Sequence, residues 1–241
     1  MKLNACELYN KLKDKGVFYL YHANTLTTSI SCIYNGGLLS RGDMENRGLD
    51  MTQQDSDCID KQYNVWNDVF LDTVDLHGYR YTKSIRQNLY GPVLFKLKSE
   101  LLIDPDFDNI WITTNNPVNW DKDDNKYFNV VDEYITTMGI ERQRKMITIR
   151  NIHRPIPFSK YLEQIMLDDP EIYLKEIGAN VYDYAFNKLE NAIKQVRLNI
   201  NIKKHICSDD CYCVQNYKQI VTRNSETFIK YFIDNKDIRK L

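Results

Sequence analysis

Tyr19-Leu20-Tyr21-His22-Ala23-Asn24, followed by Tyr34-Asn35-Gly36-Gly37-Leu38-Leu39-Ser40-Arg41, is the stretch that decides the fold. Residues 17–22 are an apolar and aromatic run of strand length that ends in a polar His. Thr25-Leu26-Thr27-Thr28 offers hydroxyls for a helix N-terminus. Ile30 and Ile33 give that helix apolar positions, and Asn35-Gly36-Gly37 stops it. A His at the end of an apolar strand can turn its ring toward a pocket, donating one hydrogen bond and accepting another. Position alone favours an ordinary half-buried His. The Gly-Gly-Leu-Leu at this distance reverses that preference.

Outward from this core, residues 3–15 predict a short amphipathic helix built on Leu3, Leu8 and Leu12 and stopped by Gly16. Residues 42–67 are polar and aperiodic and predict a long loop, a lid over whatever the pocket holds. Strands are expected at 68–74, 92–97, 110–114 and 146–150, and a helix at 129–138. Residues 160–167 predict a short helix or turn. Beyond about residue 168 a long helical stretch is expected over 170–197, then a Cys cluster, then a short helix to Ile233. The boundary divides a mixed α/β part, 1–168, from a helical part, 169–241.

The composition is that of a globular chain: 241 residues, 43% hydrophobic and 27% charged, with a net charge of −1. No global basic field exists for gripping nucleic acid, so such a grip must be local. Residues 1–7 lack the apolar segment of a signal peptide, and no run of about 18 apolar residues suggests a membrane span. A cytoplasmic, reducing location is the expectation. There, clustered cysteines point to metal before disulfides.

The pattern Tyr21-His22-Ala23-Asn24, Ser29-Ile30, Gly36-Gly37-Leu38-Leu39-Ser40-Arg41 resembles the opening of the ADP-ribosyltransferase superfamily, and most closely the DarT-type transferases that modify nucleic acid. The resemblance is clearest over the first 45 or so residues and continues as strand order to about 168. It implies an α+β fold: an ADP-ribosyltransferase-like split β-sheet core with flanking helices and a helical C-terminal extension. It implies NAD⁺ as the substrate. His22 would bond the nicotinamide ribose hydroxyls and the backbone after it the carboxamide, so that Tyr21, Ala23, Asn24 and Leu39 would surround the cofactor. Arg41, or equally Arg47, would pair with the pyrophosphate.

Catalysis in this superfamily uses a carboxylate on the way into a late strand, here Met146-Ile147-Thr148-Ile149. The chain departs from the pattern, carrying Lys145 just before that strand. Glu141, in Glu141-Arg142-Gln143, is the first candidate and Glu133 the second. Four extended residues span about 13 Å, so Glu141 needs a loop or bulge to reach the pocket. Arg142, Arg144 and Lys145 would offer phosphate contacts.

Three further segments carry chemistry. His205, Cys207, Cys211 and Cys213 form a compact set able to close around one Zn²⁺, or a loop with coincidental thiols. Asp72, Asp75 and His77 suit a structural role better than a metal. Trp111 and Trp120 flank polar residues and suit core packing better than base stacking.

The leading expectation is a mono-ADP-ribosyltransferase that cleaves NAD⁺ and modifies a DNA or RNA base. The resemblance implies a toxin of a toxin–antitoxin or anti-phage system, with an antitoxin partner. The alternatives are a protein side chain as acceptor, and a catalytically inactive binding module on the same fold.

Overall fold

The computed structural model describes residues 2–75, 90–138, 145–206 and 212–239. In chain order the elements are α1 (Ala5–Asp14), β1 (Tyr19–Asn24), α2 (Leu26–Tyr34), β2 (Gly37–Leu38), α3 (Arg41–Asn46), α4 (Asp57–Gln62), β3 (Val69–Leu71), β4 (Val93–Lys98), β5 (Ile110–Ile112), α5 (Val131–Thr137), β6 (Ile147–Ile149), β7 (Ile156–Pro157), α6 (Phe158–Tyr161) and β8 (Leu162–Leu167). They continue as β9 (Tyr173–Leu174), β10 (Ala179–Asn180), α7 (Val181–Gln195), β11 (Ile202–Lys204), α8 (Cys213–Arg223), α9 (Ser225–Phe232) and α10 (Asn235–Ile238). The chain is α+β. Among the described residues, no helix is long and apolar enough to cross a membrane.

β1 pairs antiparallel with β4 along its whole length, from Tyr19 opposite Lys98 to Asn24 opposite Val93. The sheet order is β1-β4-β8-β11, with β11 parallel to β8. A second sheet, β3-β6-β5, is antiparallel throughout. The two sheets meet where Tyr21 N–H donates to Asp72 C=O at 2.8 Å and Asp72 N–H to Tyr21 C=O at 2.9 Å. Side chains alternate along β1. Leu20 and His22 therefore face one way, His22 opposite the buried Phe95, while Tyr19 and Tyr21 face the other, opposite Lys98 and Lys96.

α2 has no charged residue and is buried from Leu26 to Ile33. A helix that is apolar or small on every side belongs in an interior, and α2 packs against α7 and α9. Gly36 takes φ +71° just past the Asn35 C-cap, as the Gly-Gly stop requires. One buried apolar cluster runs from Leu3 to Ile233.

Three expectations need correction. Residues 42–67 are not an irregular loop, because they carry most of α3 and all of α4. Residues 160–167 end in β8, an inner strand of the main sheet. The spacing of Tyr161, Leu162 and Ile165 looks helical, but pairing with β4 and β11 on both sides overrides local preference. The helix expected over 170–197 begins only at Val181, since β9 and β10 pair with each other before it. Past 168 the chain is mainly helical and also supplies β9, β10 and β11.

Gly91 packs closely against the end of β1. Its φ is +128°, and a Cβ there would lie 2.2 Å from the Asn24 carbonyl oxygen. Gly91→Ala is expected to cost on the order of 2 kcal/mol or more, from backbone strain and overlap with the end of β1. Thermal unfolding followed by circular dichroism measures it.

Candidate functional site

A cleft of about 860 Å³, open solvent included, lies beside the C-terminal end of β1. Its walls come from β1, α2, the α3–α4 segment, β3 and the turn at Asn116, Pro117 and Val118.

His22 is held on this wall by Phe70. Its Nδ1 lies 2.7 Å from the Phe70 carbonyl oxygen. A carbonyl only accepts, so Nδ1 carries the proton and Nε2 is left as an acceptor with no partner among the described residues. Burial pushes the His22 pKa below its ordinary 6.5, and the positive charge of Arg41 pushes the same way; the Phe70 bond opposes them. The ring is therefore neutral at pH 7. Ala23, Asn24 and Leu39 join it on the wall, all three buried.

Arg41 is the first residue of α3, whose N-terminus is capped by Ser40 Oγ accepting from Asp43 N–H at 3.1 Å. One nitrogen of its guanidinium is tied down: Nη2 donates to Thr52 C=O at 2.9 Å and to Asp57 Oδ2 at 2.7 Å. Nε and Nη1 are buried with no partner among the described residues. The guanidinium carbon is also 5.3 Å from the Trp66 ring centroid. Arg41 thus brings to the cleft a planar cation with two unspent donors. A buried donor without a partner costs about 1–3 kcal/mol, a cost that a bound anion removes.

The α4 segment contributes Gln54, Ser56 and Asp60 to the wall. Asp60 is half-buried. Burial, then the nearby Asp57 carboxylate, raises its pKa to about 6, against the lowering effect of Arg41. Asp68 also lines the cleft but is spent on structure. Its Oδ2 accepts from Arg150 Nε at 2.9 Å and its Oδ1 from Asn151 N–H at 2.9 Å.

The structure therefore brings together His22, Ala23, Asn24, Leu39 and Arg41. It does not bring Tyr21 or Arg47 to the described wall. The Tyr21 side chain is on the opposite face of β1, and Arg47 pairs with Asp43 at 2.9 Å. Glu141, like Arg142 and Arg144, lies outside the described residues. Glu133 is exposed on α5, away from the cleft wall. Lys145 donates to Thr137 C=O at 3.0 Å.

Of the metal candidates, Cys207 and Cys211 lie outside the described residues, as does His77. His205 is buried, with Nε2 2.7 Å from Asp75 Oδ2 and Nδ1 3.7 Å from Asp168 Oδ1. Cys213 is buried at the start of α8. Among the described residues, no group of three or more His, Cys, Asp or Glu is arranged to hold a metal. Trp120 is buried and Trp111 half-buried. Both pack edge-on to Tyr127, with centroids 5.4 and 5.0 Å away.

Sequence reasoning missed Trp66, Phe70 and Asp60. The signal for α4 was present: Asp57 and Asp60 sit three apart after Ser56, a helix-start pattern inside a polar stretch. No known protein-family model matches this chain, and comparison with curated proteins finds no match.

Proposed function

We propose that the chain is a mono-ADP-ribosyltransferase that consumes NAD⁺ in this cleft. One observation carries the reading: the bare Nε2 of His22 and the unspent Nε and Nη1 of Arg41 belong to one wall. An imidazole acceptor suits the ribose hydroxyls of the substrate. The free guanidinium donors, Nε and Nη1, suit oxygens of its pyrophosphate. Ala23, Asn24 and the apolar Leu39 line the same cleft, a surface for the nicotinamide ring and its carboxamide. The split into two antiparallel-containing sheets, with β1 at their seam, supports an ADP-ribosyltransferase-like core.

The acceptor we propose is a nucleic acid, and the biological role a toxin held by an antitoxin in the cytoplasm. Labelled NAD⁺ incubated separately with DNA, RNA and protein from a lysate identifies the acceptor. Label entering only protein would replace nucleic acid by a side chain.

The primary test is nicotinamide release from NAD⁺ by the purified chain. Arg41→Lys is the informative variant. It keeps the positive charge beside Asp57 but loses the Nε and Nη1 donors. NAD⁺ affinity is expected to fall about 10-fold or more, as loss of a charged hydrogen bond worth about 1.5–3 kcal/mol implies. Calorimetry reads the change. Unaltered affinity would place the pyrophosphate elsewhere.

A further inference from the structure

We infer that Asp60 is the catalytic carboxylate of the cleft, the base that takes the proton of the group attacking the ribose. This role for Asp60 rests on the NAD⁺ reading above, and the family resemblance assigns the residue no role.

The acids on the described cleft wall are Asp60, Asp68 and Asp72. Asp68 has both oxygens committed, to Arg150 and to the Asn151 N–H, and its side chain is fully buried. Asp72 belongs to the seam between the sheets, its N–H and C=O both bonded to Tyr21, and it is itself engaged. Asp57 does not line the cleft; its Oδ2 accepts from Arg41 and from the Gln54 N–H, which ties the carboxylate to a cation, and its Oδ1 is buried without a partner among the described residues. Asp60 differs from all of these. It lines the cleft, is half-buried, and has no Lys or Arg paired with it among the described residues.

That arrangement suits a base. A carboxylate locked to a cation is too weak to take a proton, whereas one raised by burial and like charges to about 6 is well matched near neutral pH. In the transfer, the acceptor's N–H or O–H proton passes to the Asp60 carboxylate. The acceptor atom bonds the anomeric carbon of the nicotinamide ribose. The bond from that carbon to the pyridinium nitrogen breaks, its electron pair staying with nicotinamide, which leaves neutral. Asp60 then returns the proton to solvent. As a carboxylate it also stabilises the positive charge that develops on the sugar.

The test measures nicotinamide release between pH 5 and about 8.5, a window that brackets an acid group poised for base catalysis. NAD⁺ affinity is measured by calorimetry on the same samples. Wild type is expected to show activity rising through pH about 6, as Asp60 ionises. Asp60→Asn is expected to lose about 10²- to 10⁴-fold in kcat and to lose the limb, while binding NAD⁺ within about twofold of wild type. Its thermal midpoint at pH 7 should be equal or higher, since a half-buried charge is removed. Asp60→Glu should recover part of the rate. An Asp60→Asn protein with full kcat, or with the limb unmoved, overturns the assignment and leaves the NAD⁺ reading standing. Wild-type protein that neither binds NAD⁺ nor releases nicotinamide overturns both.

Discussion

His22→Ala is expected to lower nicotinamide release from NAD⁺ by at least about 10²-fold, the loss that follows when a reacting group is misplaced by about 1 Å. The Phe70 carbonyl sets the tautomer, so the cleft receives a hydrogen-bond acceptor at Nε2 and not a donor. Alanine offers neither, and the ribose hydroxyls lose their orientation. The fold should survive. The variant forfeits one hydrogen bond worth about 1 kcal/mol and some packing, a drop of a few degrees in thermal midpoint for a chain of this size. The pH dependence has a defined sign. Burial depresses the His22 pKa in the folded chain below its ordinary 6.5. Below that value the unfolded chain binds the extra proton more readily, so the wild type loses stability as pH falls through this window. His22→Ala should lack that part of the acid destabilisation. Equal acid sensitivity in wild type and variant would show that His22 is not held neutral.

Asp68→Ala is expected to be the most destabilising single substitution of the cleft wall, at about 3–5 kcal/mol. The side chain is wholly buried. Its removal leaves Arg150, only 16% exposed at its side chain, without a carboxylate. It also strands the Asn151 N–H, in a residue held at φ +52°. Arg150 is further fixed by Asn64 C=O at 3.1 Å and by the rings of Trp111 and Tyr127 at 5.2 and 5.1 Å. Asp68 thus links the start of β3 to the turn after β6. Burial raises its pKa although Asn151 and Arg150 both lower it, so desolvation outweighs pairing. With the folded pKa above the ordinary 3.8, stability from this group falls as pH rises through the raised value. Asp68→Asn, which keeps an acceptor for the Asn151 N–H and removes the charge, should cost much less than Asp68→Ala. Chemical denaturation of the two variants distinguishes a charge-dependent role from a geometric one. An Asn variant as unstable as the Ala variant would show that the ion pair with Arg150 matters more than the bond to Asn151.

The front of the chain was legible because its signals are local. Residues 17–22 are strand-like in themselves, α2 is uncharged and ends in Gly-Gly, and α1 is periodic and carries its Asn4 cap. His22, Ala23, Asn24, Leu39 and Arg41 were reachable from that pattern, and all five line the cleft. Arg41 and Arg47 could not be told apart from sequence, because both follow Leu39 closely in a polar stretch. Packing separates them: Arg41 starts α3 facing Thr52 and Asp57, while Arg47 caps the end of α3 and turns back to Asp43. Tyr21 went astray through strand alternation, since a residue next to His22 in sequence is on the other side of the sheet.

By itself, the sequence determined the strand–helix–Gly-Gly opening and the α+β class, because these depend on neighbours a few positions apart. Only the tertiary structure decided what those residues do. The tautomer of His22 depends on Phe70, 48 residues away, and the anchoring of Asp68 on Arg150, 82 residues away. Asp60 acquires its raised pKa chiefly from its partial burial on the cleft wall, which the chain sets only when α4 packs into the fold. β8, with its misleading helical spacing, became a strand because β4 and β11 were there to bond its backbone on both sides. Hydrogen bonds and desolvation between distant segments are properties of the assembled chain, and they turned an apolar strand ending in His into one wall of a polar cleft.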